Sequence, residues 1–124
     1  MSRVIKFRAW LNYGAGNGEM LPNIQNHING DWAFGHIVNG NVDNVSEPMQ
    51  FTGLKDKNGI EIYEGDVIHN LNFTDECNHV IEMLEDLGCW FMVDAKEGYA
   101  EPLNEWLDSS VVIGNIHQNP ELLK

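Results

Sequence analysis

The sequence predicts a mainly β fold of the α+β kind in one small chain. Short runs of apolar residues alternate with polar ones at a period of two, and four Asn-Gly pairs punctuate the chain. The first pattern is that of half-buried strands. The second suits tight turns between antiparallel strands, because both residues tolerate positive φ. With 124 residues, 43% of them hydrophobic, four Trp and five Phe, the chain has material for one shared core and too little for two independent ones.

Taken in order, Val4 to Leu11 alternates Ile5, Phe7 and Ala9 against Lys6, Arg8 and Trp10 and predicts a strand. Gly14 to Gly30, rich in Gly and Asn with Pro22 inside it, reads as a long surface connection. Trp32–Val38 and Met49–Thr52 are short apolar runs that read as further strands. Asn58-Gly59 predicts a hairpin turn into the strictly alternating Ile60-Glu61-Ile62-Tyr63, and Glu64-Gly65-Asp66 predicts a turn into a strand from Val67 to Phe73. Residues 75–88 leave two readings open. Val80, Met83, Leu84 and Leu87 fall at helical spacing before Gly88, yet Val80 to Leu84 also suits a strand entering a turn. Cys89–Val93 reads as a buried strand, Pro102–Leu107 as one or two helical turns with Pro first, Ser110–Ile116 as a β-branched strand, and Pro120–Leu123 as a final helical turn.

The formal net charge of −12 is unevenly placed. Residues 1–59 balance five basic against five acidic side chains, whereas residues 60–124 set fourteen acids against Lys96 and Lys124. A field of that sign repels phosphate backbones, which argues against nucleic-acid binding by the second half. No segment approaches the roughly 18 apolar residues of a membrane helix. The first residues are charged where a secretory signal would be apolar, and two cysteines do not make a disulfide framework. The expected setting is the cytoplasm, with reduced thiols.

Several motifs are weaker than they look. Gly14-Ala15-Gly16-Asn17-Gly18 lacks the glycine spacing and following helix of a dinucleotide fingerprint, since Glu19 and Pro22 come next. Cys77, His79 and Cys89 lack the paired spacing of structural zinc sites, so no metal or cofactor is expected. Five His and the serines 46, 109 and 110 sit in no context that would activate a nucleophile, so no catalytic residues and no enzyme activity are expected.

The stretch Met49-Gln50-Phe51-Thr52-Gly53-Leu54-Lys55-Asp56-Lys57-Asn58-Gly59-Ile60-Glu61-Ile62-Tyr63-Glu64-Gly65-Asp66-Val67-Ile68 resembles the core signature of the YopX family of bacteriophage and prophage proteins. Ile5–Trp10 is similar to that family's opening strand, and Ile113–Leu123, through Gly114-Asn115-Ile116-His117-Gln118-Asn119-Pro120, to its ending. Residues 12–45 and 72–109 match loosely. The resemblance implies a small N-terminal α+β portion, residues 1–63, followed by an SH3-like β-barrel, residues 64–124, and it implies self-association. It also favours a hairpin over a helix, with strand, turn and strand over residues 79–94 and Val80, Glu82 and Leu84 on one face. It implies no established activity, catalytic residue or cofactor.

Read physically, Thr52, Gly53, Lys55, Asp56, Asn58, Gly59, Tyr63, Gly65 and Asp66 are expected to specify turns rather than a ligand site, with Thr52, Asp56 and Asn58 bonding nearby backbone. The expected function is that of a phage or prophage accessory protein that binds a protein partner through an acidic face formed by Glu82, Glu85, Asp86, Asp94 and Glu97. Exposed strand edges argue for a homo-oligomer. The competing reading is a nucleic-acid-associated protein using the basic N-terminal strand. Arg3 and Arg8 fall on opposite faces there, which leaves only Lys6 beside Arg8.

Overall fold

The computed structural model describes residues 5–72, 78–84 and 88–123. The chain is mainly β and divides into two compact units, Met1–Phe51 and Thr52–Lys124.

In the first unit, β1 (Phe7–Gly14) pairs antiparallel with β2 (Asn17–Leu21), from Ala9 opposite Leu21 to Gly14 opposite Asn17. Along its other edge Phe7 and Arg8 pair with Gln50 and Met49, at the start of β3 (Met49–Lys55). Part of the Gly- and Asn-rich stretch expected as a surface connection is thus a hairpin. Gly14, Ala15 and Gly16 all have positive φ, which turns the chain back on itself, and a Cβ at Gly18 would run into the Trp10 ring. The expected strand at Trp32–Val38 is instead a short helix, α1 (Phe34–Val38). Its spacing explains the difference: Phe34 and Ile37, three residues apart, share one helical face but would point to opposite sides of a strand. Both reach the core formed by Ala9, Ile24 and Ile37, with Phe7, Leu21, Val42 and Val45 packed around it.

In the second unit, β4 (Glu61–Tyr63) neighbours the end of β3. A curled five-stranded antiparallel sheet follows in the order β8-β7-β6-β5-β9. Its strands are β5 (Asp66–Asn70), β6 (His79–Leu84), β7 (Cys89–Asp94), β8 (Ala100–Pro102) and β9 (Ser110–Asn115). Single 3₁₀ turns occupy Leu103–Glu105, Leu107–Ser109 and Pro120–Leu123. The two strands expected within residues 79–94 form and pair antiparallel, with His79 opposite Asp94 and Leu84 opposite Cys89; residues 85–87, where the turn was expected, lie outside the described residues. Ile62, Ile68, Ile81, Met92 and Leu103 are fully buried as one cluster, flanked by Leu54, Trp90, Trp106, Leu107 and Val112. Burying each such side chain contributes about 1.5–3 kcal/mol.

The signature residues 52–63 group with the second unit, whereas the sequence reading placed them with the first. The reason is local bonding, since Asp56 and Lys57 both bond to the backbone of β9.

Candidate functional site

The signature turn between β3 and β4 is organised by one carboxylate. Asp56 Oδ1 accepts from the amides of Asn58 (2.8 Å) and Ile60 (2.9 Å), and Oδ2 accepts from the amide of Val112 in β9 (2.8 Å). The Asp56 amide donates to Ile60 O, and Gly59, at φ 81°, donates to Asp56 O. The Lys57 amide then donates to Ser110 O (2.9 Å). Asp56 is 6% exposed, so its charge is balanced by aligned N–H groups rather than by water. Two of the contacts cover polar groups of β9, an edge strand of the sheet, and so limit pairing with another chain there.

Thr52 is buried, and its hydroxyl donates to Ile62 O (2.8 Å) while accepting from the Leu54 amide (3.1 Å). The two bonds bracket Gly53, whose φ of 85° breaks the regular strand. Lys55 is exposed at the end of β3. Asp66, 2% exposed, accepts from the Tyr63 amide through Oδ2 (2.8 Å). Gly65, at φ 83°, donates to Ile81 O and accepts from the Ile116 amide, joining β6 to the end of β9.

Two further polar clusters were not singled out from the sequence. Asn115 Oδ1 accepts from the amides of His117 (3.0 Å) and Gln118 (2.8 Å), and Asn119 packs so closely that a Cβ at Gly114 would overlap it. The signal was an Asn two residues before the next polar residues, a common self-bonding pattern. Fully buried Asn70 donates through Nδ2 to Ser110 Oγ (2.9 Å), and its Oδ1 accepts from the Asn72 amide (2.9 Å) and Ser109 Oγ (3.2 Å). Ser110 Oγ in turn donates to Trp106 O (2.7 Å). Both serines weighed as nucleophiles at 109 and 110 are thereby tied into this network.

Of the five acidic positions expected to make one face, Glu82, Asp94 and Glu97 are among the described residues. Glu82 is exposed in the middle of β6, opposite Phe91. Asp94 ends β7 and is half-buried, with Oδ1 accepting from the amides of Lys96 (2.7 Å) and Glu97 (2.9 Å), so it shapes the turn to β8. Glu97 is exposed in that turn. Glu85 and Asp86 lie outside the described residues. Among the described residues, the carboxylates of Glu82, Glu97, Glu105 and Asp108 are exposed and make no hydrogen bond or ion pair.

His79 is buried opposite Asp94, on the face of the sheet that also carries Ile81 and Met92. Burial holds its pKa below the ordinary 6.5; Asp94 and Glu101 pull it upward, and His69 adds to the lowering. Cys77 lies outside the described residues; Cys89 is exposed at the end of the ladder away from His79, so Cys89 and His79 do not share a site. In the basic N-terminal strand, Lys6 Nζ sits 4.7 Å from the centre of the Phe51 ring, Arg8 is half-buried, and Arg3 lies outside the described residues.

No curated protein matches the chain. Among solved structures, the crystal structure of protein EF1440 from Enterococcus faecalis is similar, with 26% identity, a TM-score of 0.56, and coverage of 99% of this chain and 100% of that one. Residues 6–124 match the family model described as YopX protein, which is essentially the whole chain. The chain belongs to the YopX family.

Proposed function

We propose that the chain is a non-enzymatic accessory protein of a bacteriophage or prophage, acting in the bacterial cytoplasm, whose second unit binds a protein partner with a basic surface. The observation that carries this reading is the division among its acids. Asp56, Asp66 and Asp94 are committed to backbone amides, while Glu82, Glu97, Glu105 and Asp108 stand exposed and, among the described residues, unpaired. The second unit sets 15 Asp and Glu against 4 Lys. Exposed carboxylates on a strand and on the turns around the sheet steer a basic partner at little cost in desolvation, with rate and affinity that fall as salt rises. We read the curled sheet as an SH3-like barrel, a fold that hosts many functions, so the charge and not the fold supports the assignment. Self-association through exposed edges belongs to the same reading.

The test is a pull-down from prophage-carrying cells with the wild-type chain and with Glu82→Lys/Glu97→Lys, read by mass spectrometry and followed by a salt titration of the captured partner. Wild type captures a basic protein in a salt-sensitive manner and the double variant loses it. Equal capture with unchanged salt dependence would overturn the acidic-face reading. Light scattering that gives a monomer from micromolar to millimolar concentration would remove self-association.

A further inference from the structure

The four Asn-Gly pairs are more than turn residues, because each is a site where the backbone can react with its own side chain. The amide nitrogen of the glycine attacks the side-chain carbonyl carbon of the asparagine. A new C–N bond forms, the bond to the side-chain nitrogen breaks, and ammonia leaves with the proton from the glycine amide. Water then opens the five-membered imide at either carbonyl, giving aspartate or isoaspartate. Glycine favours the step because it lacks the Cβ that would shield its nitrogen and because it reaches the strained backbone angles needed. The sequence treats the four pairs alike, and the fold does not.

Gly59 already donates its amide to Asp56 O (3.0 Å), and the Asn58 amide is held by Asp56 Oδ1. Gly40 donates to Ile37 O (3.1 Å), and Asn39 donates to Gly35 O (3.1 Å), at the end of α1. Asn17 and Gly18 lie in β2, paired with Gly14 and Asn12, and Trp10 packs against Gly18. In each case ordered structure must open before the nitrogen can turn toward the side chain.

Asn29-Gly30 is different. Both residues are exposed, neither amide makes a hydrogen bond among the described residues, and the space where a Cβ of Gly30 would sit is open. The loop is held at its base, where the Phe34 amide donates to His27 O (2.7 Å) and His27 Nδ1 lies 3.2 Å from Trp32 O, and the Ala33 amide donates to Gly30 O (3.2 Å); none of these bonds engages the Gly30 nitrogen, so it can turn toward the Asn29 side chain without unfolding the unit. We propose that Asn29 is the site at which this chain converts without an enzyme from asparagine to aspartate and isoaspartate. The product carries a new carboxylate between Ile28, which is 81% exposed, and exposed Trp32.

The experiment incubates the full native chain in mildly alkaline buffer, where the amide is more readily deprotonated, and follows all four pairs by peptide mapping and isoaspartate-specific methyl transfer. Asn29 converts several-fold faster than Asn17, Asn39 and Asn58 in the native chain, and the ranking collapses toward equality in concentrated urea. Asn29→Gln removes the fast phase and leaves the slow ones. Conversion of Asn39, Asn58 or Asn17 at a rate equal to or above that of Asn29 in the native chain would overturn the proposal. So would a ranking that survives unchanged in urea, since local sequence rather than the fold would then set it.

Discussion

Replacing Asp56 tests whether one carboxylate holds the signature turn. Three amides donate to it, and net values for bonds to a charged acceptor run about 1.5–3 kcal/mol each. Asn58 and Ile60 are exposed, so water recovers much of what their amides lose in Asp56→Ala; the Val112 amide, in half-buried β9, recovers less. The expected destabilisation is about 3–5 kcal/mol, a large part of the roughly 5–15 kcal/mol that holds a typical domain folded. Asp56→Asn keeps one acceptor oxygen but turns an NH₂ group toward an amide donor, for about 1–3 kcal/mol. Urea denaturation followed by fluorescence and circular dichroism reads both, with a lower midpoint and an unchanged slope. Amide exchange adds a local reading, because Val112, Asn58 and Ile60 should exchange faster in Asp56→Ala. A loss below about 1 kcal/mol for Asp56→Ala, or unchanged protection at Val112, would refute the reasoning.

Two other outcomes follow from the second unit. The lowered pKa of His79 means that below about 6.5 the unfolded chain binds the proton more readily than the native one, so the stability this group contributes is complete above that pH and is lost as pH falls through the lower native value. Unfolding midpoints measured across this range should fall with acid more steeply in the wild type than in His79→Gln, and parallel profiles would contradict it. Ile81→Ala should cost about 2–5 kcal/mol because its side chain is fully buried, whereas exposed Ile113→Ala should stay near about 0.5 kcal/mol, both read by thermal unfolding.

Much of the second unit was legible because its strands obey local rules. Ile60 to Tyr63 alternates, Asn58-Gly59 turns, and the β-branched run at 110–116 has no competing pattern. The hairpin at 79–94 needed the family resemblance, since Val80, Met83 and Leu84 satisfy either period. In the first unit the readings failed where glycine and asparagine were taken as evidence of loop. Gly18 lies in a strand because the Trp10 ring needs the space, which is a tertiary cause that no local pattern records. The helix α1 differs from the strand expected over Trp32–Val38 because the three-residue spacing of Phe34 and Ile37 favours a helix only once both are known to reach the core, which so short a run does not show. The acidic positions were legible as charge but not as geometry. Nothing in the charge pattern records that Asp94 accepts from the backbone of its own turn while Glu82 and Glu97 stay exposed.

Side-chain length suits Asp56, Asp66 and Asp94 to their backbone roles, while Asp108, outside those turns, stays exposed. An Asp carboxylate is short enough to accept from amides two to four residues further along its own turn, as Asp56 and Asp94 do, and Asp66 accepts from the amide three residues before it. A Glu in the same turns has one methylene too many to close those rings without losing rotamer freedom. Glu82, Glu97 and Glu105 accordingly project from strand or turn surfaces with no backbone role among the described residues. The two classes therefore separate in experiment as they do in space. Neutralising Asp94 removes one charge and loosens the turn that carries Glu97, whereas reversing Glu97 changes the field by two charges and leaves the turn intact. If partner capture follows the field, Glu97→Lys must weaken it more than Asp94→Asn does; if capture follows the shape of the turn, the order inverts.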